Sequence, residues 1–356
     1  MKQKAYLLAV MTASLMLFPC DFYGKSFEIK SGINISHWLS QSIQRGEKRK
    51  AYFTRADVEY IAGLGYDHIR IPVDEEQMFK EDGQKETEAF ALLHNALGWC
   101  AEFNLRAVVD LHILRSHHFD AEEKLLFTDV KAQERFYECW RKISGELKKY
   151  SIDRVAYELM NEPVADDPEI WNVIVNRCVA VIRQLEPERT VVMGSNQWQN
   201  FATVKDLRIP ENDPNIIISF HYYAPFLLTH YKASWTFVKD ITVPVHYPGQ
   251  IIAKADLASA ENYAKSGKQV YNMDVIESDF LQVVKVAKKY NLKVYCGEYG
   301  CISSAPEQDK IRWLKDLHTL FERHGIARAN WDYKGNFGII SRGEPQTDMI
   351  NAISGR

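Results

Sequence analysis

Largely apolar runs of four to eight residues punctuate the chain: INIS (33–36), HIRIP (68–72), RAVVDLH (106–112), VAYELMNE (155–162), TVVMGS (190–195), IIISFHYY (216–223), KVYCGEYG (293–300) and ARANWDY (327–333). Their length and β-branched content predict strands, and apolar runs without strict alternation belong to strands covered on both faces. Between most of them, apolar residues return every three or four positions. Phe136, Trp140, Ile143 and Leu147 make one such stripe, Ile170, Ile174, Cys178, Ile182 and Leu185 a second, and Ile311, Leu314 and Phe321 a third. Each stripe predicts an amphipathic helix. Thr54 and Pro168 stand where helices begin, Gly65 and Gly325 where they end.

Strands that alternate with helices form a parallel sheet. Eight such units in about 330 residues fit a closed (β/α)8 TIM barrel. An open doubly wound sheet is the rival, but no GxGxxG follows the first strand to hold a dinucleotide. With no linker or low-complexity segment, residues 21–356 read as a single domain. One connection breaks the rhythm: about 70 residues, 224–292, separate strands six and seven, rich in aromatics and prolines before a helical end. Loops at the C-terminal face of a barrel overhang its mouth, so this long insertion is expected to shape a cleft.

Composition narrows the class. Apolar residues make up 46% and charged residues 26%, as in a globular enzyme, and a net charge of −3 supplies no basic field for nucleic acid. MKQK followed by AYLLAVMTASLMLF has the form of an export signal over residues 1–20, placing the protein in the periplasm, on the cell surface or outside a bacterial cell. Cys20 follows Leu17 by three, as at a lipoprotein cleavage site. Phe18 and Pro19 are not the small residues wanted there, which makes a lipid tether at Cys20 the lesser expectation. No later run is long enough to span a membrane. Cys100, Cys139, Cys178, Cys296 and Cys301 are scattered and read as buried free thiols, since no CxxC, HxH or HExxH is present.

In a parallel barrel the C-terminal strand ends share one mouth. Reading those ends gives Asn34 and His37, Arg70, His112, Asn161 and Glu162, Asn196 and Trp198, His221 and Tyr223, Glu298, and Trp331. Polar and aromatic groups thus replace aliphatic ones at the same end of every strand. Glu162 and Glu298, 136 residues apart, dominate this ring. Two carboxylates flanking one bond suit acetal hydrolysis: one protonates the departing oxygen while the other stabilises or attacks the oxocarbenium carbon. Ionisation of one raises the pKa of the other. Glu158, four residues before Glu162, is set aside as an acid that pairs inside the barrel; Asp110, Asp332, Glu75 and Glu76 are further acids near strand ends. Trp38, His117, His118 and Trp235 flank the ring and read equally as packing or as sugar contacts. Metallohydrolase barrels carry HxH on the first strand; here that strand offers Asn34 and an isolated His37, and no metal or cofactor is implied.

The motifs GINISHW, HIRIP, DLH, ELMNEP, SFHYY, GEYG and NWDYKGNFGII, in this order over residues 27–340, resemble glycoside hydrolase family 5, the clan-A barrels that include cellulases and mannanases. The resemblance implies a retaining glycosidase with Glu162 as acid/base and Glu298 as nucleophile. It further implies that Asn161 holds the sugar 2-hydroxyl, that Arg70 and Tyr223 bond Glu298, and that His221 serves Glu162. By the same resemblance His112 lines the sugar site, Trp331 stacks on a pyranose ring, and the peptide between Trp331 and Asp332 is cis. An endo-acting β-1,4-glucanase is the favoured expectation, acting on a polysaccharide or oligosaccharide as a monomer. A β-mannanase or exo-glycosidase of the same mechanism is the alternative, and a non-catalytic carbohydrate-binding barrel is a different class. Neither LHILRSHHF after strand three nor the insertion after strand six matches the common cellulase pattern, and both leave the sugar open.

Overall fold

The computed structural model describes residues 26–120 and 122–356. Residues 1–20, read above as an export signal ending at Cys20, lie outside the described residues. Parallel strands β1 (Ser31–Asn34), β2 (His68–Asp74), β3 (Arg106–Ile113), β4 (Val155–Glu158), β5 (Val191–Gly194), β6 (Ile216–Tyr222), β7 (Lys293–Tyr299) and β8 (Ala327–Asn330) close into a barrel in chain order, β8 pairing back onto β1. Around it run α1 (Arg55–Gly63), α2 (Thr87–Glu102), α3 (Val130–Leu147), α4 (Pro168–Leu185), α5 (Met273–Tyr290), α6 (Glu307–His324) and α7 (Thr347–Ser354). The fold is the expected (β/α)8 barrel with one irregular unit. Between β5 and β6 only a 3-10 turn, Phe201–Asp206, replaces the helix, and α5 packs against it.

Local signals explain the helix ends. The Thr54 amide donates to Asp57 Oδ2 at 2.8 Å, closing the first turn of α1. Pro168 opens α4 behind the cap Asp167, and Gly325 at φ 62° ends α6 in the left-handed conformation that favours glycine. Several strand limits differ from the apolar runs. β1 lies two residues earlier than INIS, and β4 stops at Glu158, because its pairing with β5 ends at Glu158–Val192. Asn161 and Glu162 therefore sit on a loop above the strand. β8 ends at Asn330, just before the cis peptide joining Trp331 and Asp332.

The apolar residues divide into two clusters. The larger fills the space between barrel and helices; the smaller, Phe27, Val108, Ala156, Val192, Ile217, Tyr295, Ala327 and Ala329, fills the barrel interior towards its N-terminal end. Side chains two residues further along a strand point to the same interior. Thus Val108 leads to Asp110 and His112, Ala156 to Glu158, and Ile217 to Ser219 and His221, so the interior turns from apolar to polar towards the mouth. β7 breaks this alternation. Its pairing with β6 jumps from Phe220–Cys296 to His221–Glu298, leaving Gly297 as an extra residue. Tyr295 belongs to the interior and Cys296 to the outer layer; without the bulge at Gly297, Glu298 would face outward too.

His68 spans the lower interior, with Nδ1 2.6 Å from Asp67 Oδ1 and Nε2 3.2 Å from the Tyr295 hydroxyl. A Cβ on Gly32 would lie 2.3 Å from His68 Nε2. The ring is held at both nitrogens and cannot yield, so Gly32→Ala is expected to cost about 1–3 kcal/mol of stability, read from urea unfolding. An unchanged midpoint would show that the ring moves freely.

The described cysteines, Cys100, Cys139, Cys178, Cys296 and Cys301, are free and buried, as expected. Among the described residues no helix is long and apolar enough to cross a membrane.

Candidate active site

Arg70 is the hub of the mouth. Strand register places it beside Asn34 of β1, and its side chain is fully buried. Nη1 donates to Asn34 Oδ1 at 2.9 Å and to Glu298 Oε1 at 2.7 Å; Nη2 donates to Asn161 Oδ1 at 2.9 Å. Glu158 takes Nε at 2.6 Å and Nη2 at 3.0 Å, and Asp110 Oδ2 lies 3.0 Å from Nη2. Burial opposes the guanidinium charge, but Asp110, Glu158 and Glu298 outweigh it and raise the Arg70 pKa well above its ordinary value. Glu158 is therefore the internal partner anticipated from its place in the strand. Asp110 has a second role: its Oδ2 is 2.6 Å from His112 Nδ1, tying the hub to a sugar-facing candidate.

The two candidate carboxylates are held differently. Glu298 accepts from Arg70 on Oε1 and from the Tyr223 hydroxyl on Oε2 at 3.0 Å. Glu162 Oε1 lies 2.8 Å from His221 Nδ1, which is 3.7 Å from Glu298 Oε2. Burial raises the pKa of both acids; the Glu298 charge pushes Glu162 higher still, whereas Arg70 pulls Glu298 back down. The proton shared by the pair accordingly rests on Glu162. Burial, followed by the charge of Arg70, lowers His221 well below the usual histidine range, so its imidazole is neutral. Glu162, His221 and Glu298 bring ligand atoms within 4.8 Å of one another, close enough to hold a cation. Yet both Glu298 oxygens already accept from donors, and the adjacent guanidinium opposes a second positive charge, so the trio is suited to moving protons.

Neutral His112 lines the same mouth. Burial lowers its pKa to about 3, and its ring lies parallel to the Trp331 indole at 5.6 Å. The imidazole thus stacks on the indole of Trp331, which is itself buried at the mouth. Gln41, which the sequence did not single out, reaches His112 Nε2 at 3.4 Å from a left-handed corner at φ 50° that also places its carbonyl 3.4 Å from His37 Nδ1. His37 is exposed and joins the site through Gln41. Trp198 stands half-exposed on the rim, its Nε1 donating to the Phe119 carbonyl at 3.1 Å, while the Phe119 ring meets His112 edge-on.

Some flanking residues do other work. Trp38 is wholly buried and donates to the Arg49 carbonyl, so it is packing. His117 lies beneath the loop that carries Glu162, its Nε2 donating to the Glu162 carbonyl at 2.9 Å; burial lowers its pKa to about 4 and keeps it neutral. His118 stacks on Phe119. Asn196, expected at the mouth, instead bonds both the amide and the carbonyl of Ala165 at 2.8 Å. Gln197, Trp198 and Gln199 have φ of 57°, 59° and 53°, a run of left-handed residues without glycine that costs on the order of 1–3 kcal/mol per residue. No glycine or turn motif signals this segment in the sequence.

The insertion begins at the cis peptide Ala224–Pro225 and carries a short hairpin, Gly249–Gln250 with Val270–Tyr271. Its Trp235 lies 6.4 Å from Phe337, and Phe337 lies 6.1 Å from Tyr223. Exposed Trp235 and Phe237 thus extend the aromatic rim outward from Glu298.

A parallel barrel whose mouth holds a buried carboxylate gripped by a guanidinium and a phenol, beside a partly exposed one gripped by an imidazole, belongs to the barrel glycosidases. The cellulase model of glycosyl hydrolase family 5 matches residues 21–337, and the chain belongs to that family. Endoglucanase C of Acetivibrio thermocellus is 31% identical over 347 residues, covering 92% of this chain and 98% of that protein. Cellodextrinase A of Ruminococcus flavefaciens is 31% identical over 308 residues, 85% of each chain. A solved endoglucanase superposes with a TM-score of 0.75 at 25% identity, covering 92% of this chain and 97% of the other.

Proposed function

We propose that this glycosidase is an exported, retaining endo-β-1,4-glucanase in which Glu298 is the nucleophile and Glu162 the acid/base. The unequal holding of the two carboxylates carries this reading. Glu298, bonded by Arg70 and Tyr223, is suited to remain ionised and attack the anomeric carbon. Glu162, whose pKa is raised, is suited to give its proton to the glycosidic oxygen as that bond breaks. Water then attacks the same carbon, gives a proton to Glu162, and releases the Glu298 carboxylate. The approach of the two carboxylates within 4.8 Å favours retention, since inverting pairs stand roughly 6.5–9.5 Å apart to admit a water. Asn161, oriented by Arg70, is suited to bond the sugar 2-hydroxyl, and Trp331 to stack on the ring.

The endoglucanase and cellodextrinase names of the relatives support a β-glucan as substrate, and the latter favours short chains as a second reading. The basic start and apolar run of residues 1–20 support export. A closed barrel has no unpaired edge to recruit another copy, which supports a monomer. A panel of β-glucans, mannans and aryl glycosides tests the whole reading. Carboxymethylcellulose viscosity should fall well ahead of reducing-end release, and the first product anomer seen by NMR should be β. An initial α anomer would reject the retaining mechanism; release of single sugars from chain ends would reject endo action.

A further inference from the structure

We infer that Gln199 is a positioning residue that sets the reach of the acid/base Glu162, an inference that rests on the assignment of Glu162 above. After β4 the chain keeps two amide bonds to the neighbouring strands, Leu159 to the Val192 carbonyl and Asn161 to the Leu111 carbonyl, and donors from other elements hold its own carbonyls. Trp140 Nε1 takes Leu159, His117 Nε2 takes Glu162, the Trp198 amide takes Pro163, and Asn196 and Gln197 take Ala165. Gln199 supplies the donors to the two carbonyls just before the acid. Its Nε2 donates to the Asn161 carbonyl at 2.5 Å, to the Met160 carbonyl at 3.3 Å and to Glu158 Oε1 at 2.9 Å.

This one amide therefore joins the Arg70 hub, through Glu158, to the peptide immediately before Glu162. Three acceptors converge on its nitrogen, so turning the amide over would set oxygen against oxygen. Two further features serve this placement. The left-handed run Gln197–Gln199 delivers the side chain beneath the loop, where it is fully buried. Gly194 on β5 leaves the room it needs, because a Cβ there would lie 2.2 Å from Gln199 Cδ. Arg70 aligns Asn161 through its side chain and Gln199 through its carbonyl, so the acid is located from both sides.

Gln199→Met keeps approximate volume and removes the donors. Gly194→Ala keeps every donor but displaces the amide. Both should lower kcat/KM about 10–100-fold for aryl β-cellobiosides with poor leaving groups, which need the proton. With a dinitrophenolate leaving group, which departs unaided, the loss should stay below about threefold. The alkaline limb of the pH profile should move in the same variants, and circular dichroism should report an unchanged fold. A loss equal across all leaving groups would reduce Gln199 to a stabilising residue and overturn the inference, as would no loss at all. Failure of the wild type to release any aryl group would instead overturn the reading of the site itself, and this inference with it.

Discussion

Glu298→Ala is expected to lower kcat by at least about 10^4-fold on polymeric and aryl substrates alike, because no leaving group compensates for a missing nucleophile. Glu162→Ala should behave differently. Substrates with poor leaving groups should lose about 10^2–10^4-fold, while activated ones still form the glycosyl-enzyme. Azide then separates the two positions. In Glu162→Ala it attacks the glycosyl-enzyme and expels the Glu298 carboxylate, giving a β-glycosyl azide. In Glu298→Ala it takes the nucleophile's place and gives the α azide. The pH profile follows from the pKa directions. Activity should fall at low pH as Glu298 gains a proton, and at high pH as Glu162 loses one, the latter above the ordinary carboxylate range because of burial and the Glu298 charge. Full activity of Glu298→Ala would remove this residue from the mechanism.

Arg70→Met should be the most destabilising single change at the mouth, by about 3–5 kcal/mol near neutral pH, because it leaves Asp110, Glu158 and Glu298 buried without a cation. The penalty has a definite pH sign. Carboxylates whose folded pKa is raised above the unfolded value destabilise the fold increasingly as pH rises from the unfolded value through the folded one. Asp110 is already pushed up to about 7 by burial, even with Arg70 present, and Glu158 is raised by the same cause. Without Arg70 both rise further, so the gap between variant and wild type should be wide at pH 8 and narrower at pH 5. Guanidinium chloride unfolding at the two pH values measures it. A gap below 1 kcal/mol, or one indifferent to pH, would show that the hub carries no net electrostatic weight.

The barrel was legible because its strands are buried on both faces and need little besides aliphatic side chains, while the mouth needs polar ones. That contrast also brought Arg70, Asn161, Glu162, His221, Tyr223 and Glu298 into one ring, and the structure joins them in two hydrogen-bonded groups, Arg70 with Asn161, Glu298 and Tyr223, and Glu162 with His221. Boundaries were less legible. Nothing in VAYELMNEP distinguishes ladder from loop, since Leu159 and Met160 are as apolar as the strand they leave. Asn196 was misplaced, and His117 could be read either way, for a related reason: a polar residue beside a barrel mouth can face a ligand or a backbone carbonyl, and composition is the same in either case. Gln199 gave no signal at all. Its position depends on a left-handed turn built without glycine and on a missing Cβ five residues away in Gly194.

The surplus residue in β7 shows how narrowly the nucleophile is placed. The direction in which residue 298 points depends on how β7 pairs with β6 as well as on its chemical type, for the bulge at Gly297 sets Glu298, and not Gly297, opposite the inward-facing His221. Register in this strand is consequently as decisive for this chain as any replacement of the glutamate. A β7 that kept Gly297 but paired it in regular register with His221 would retain its hydrogen-bonded wall and its glutamate while presenting the mouth with no nucleophile, leaving a sugar-shaped vessel that grips without cutting.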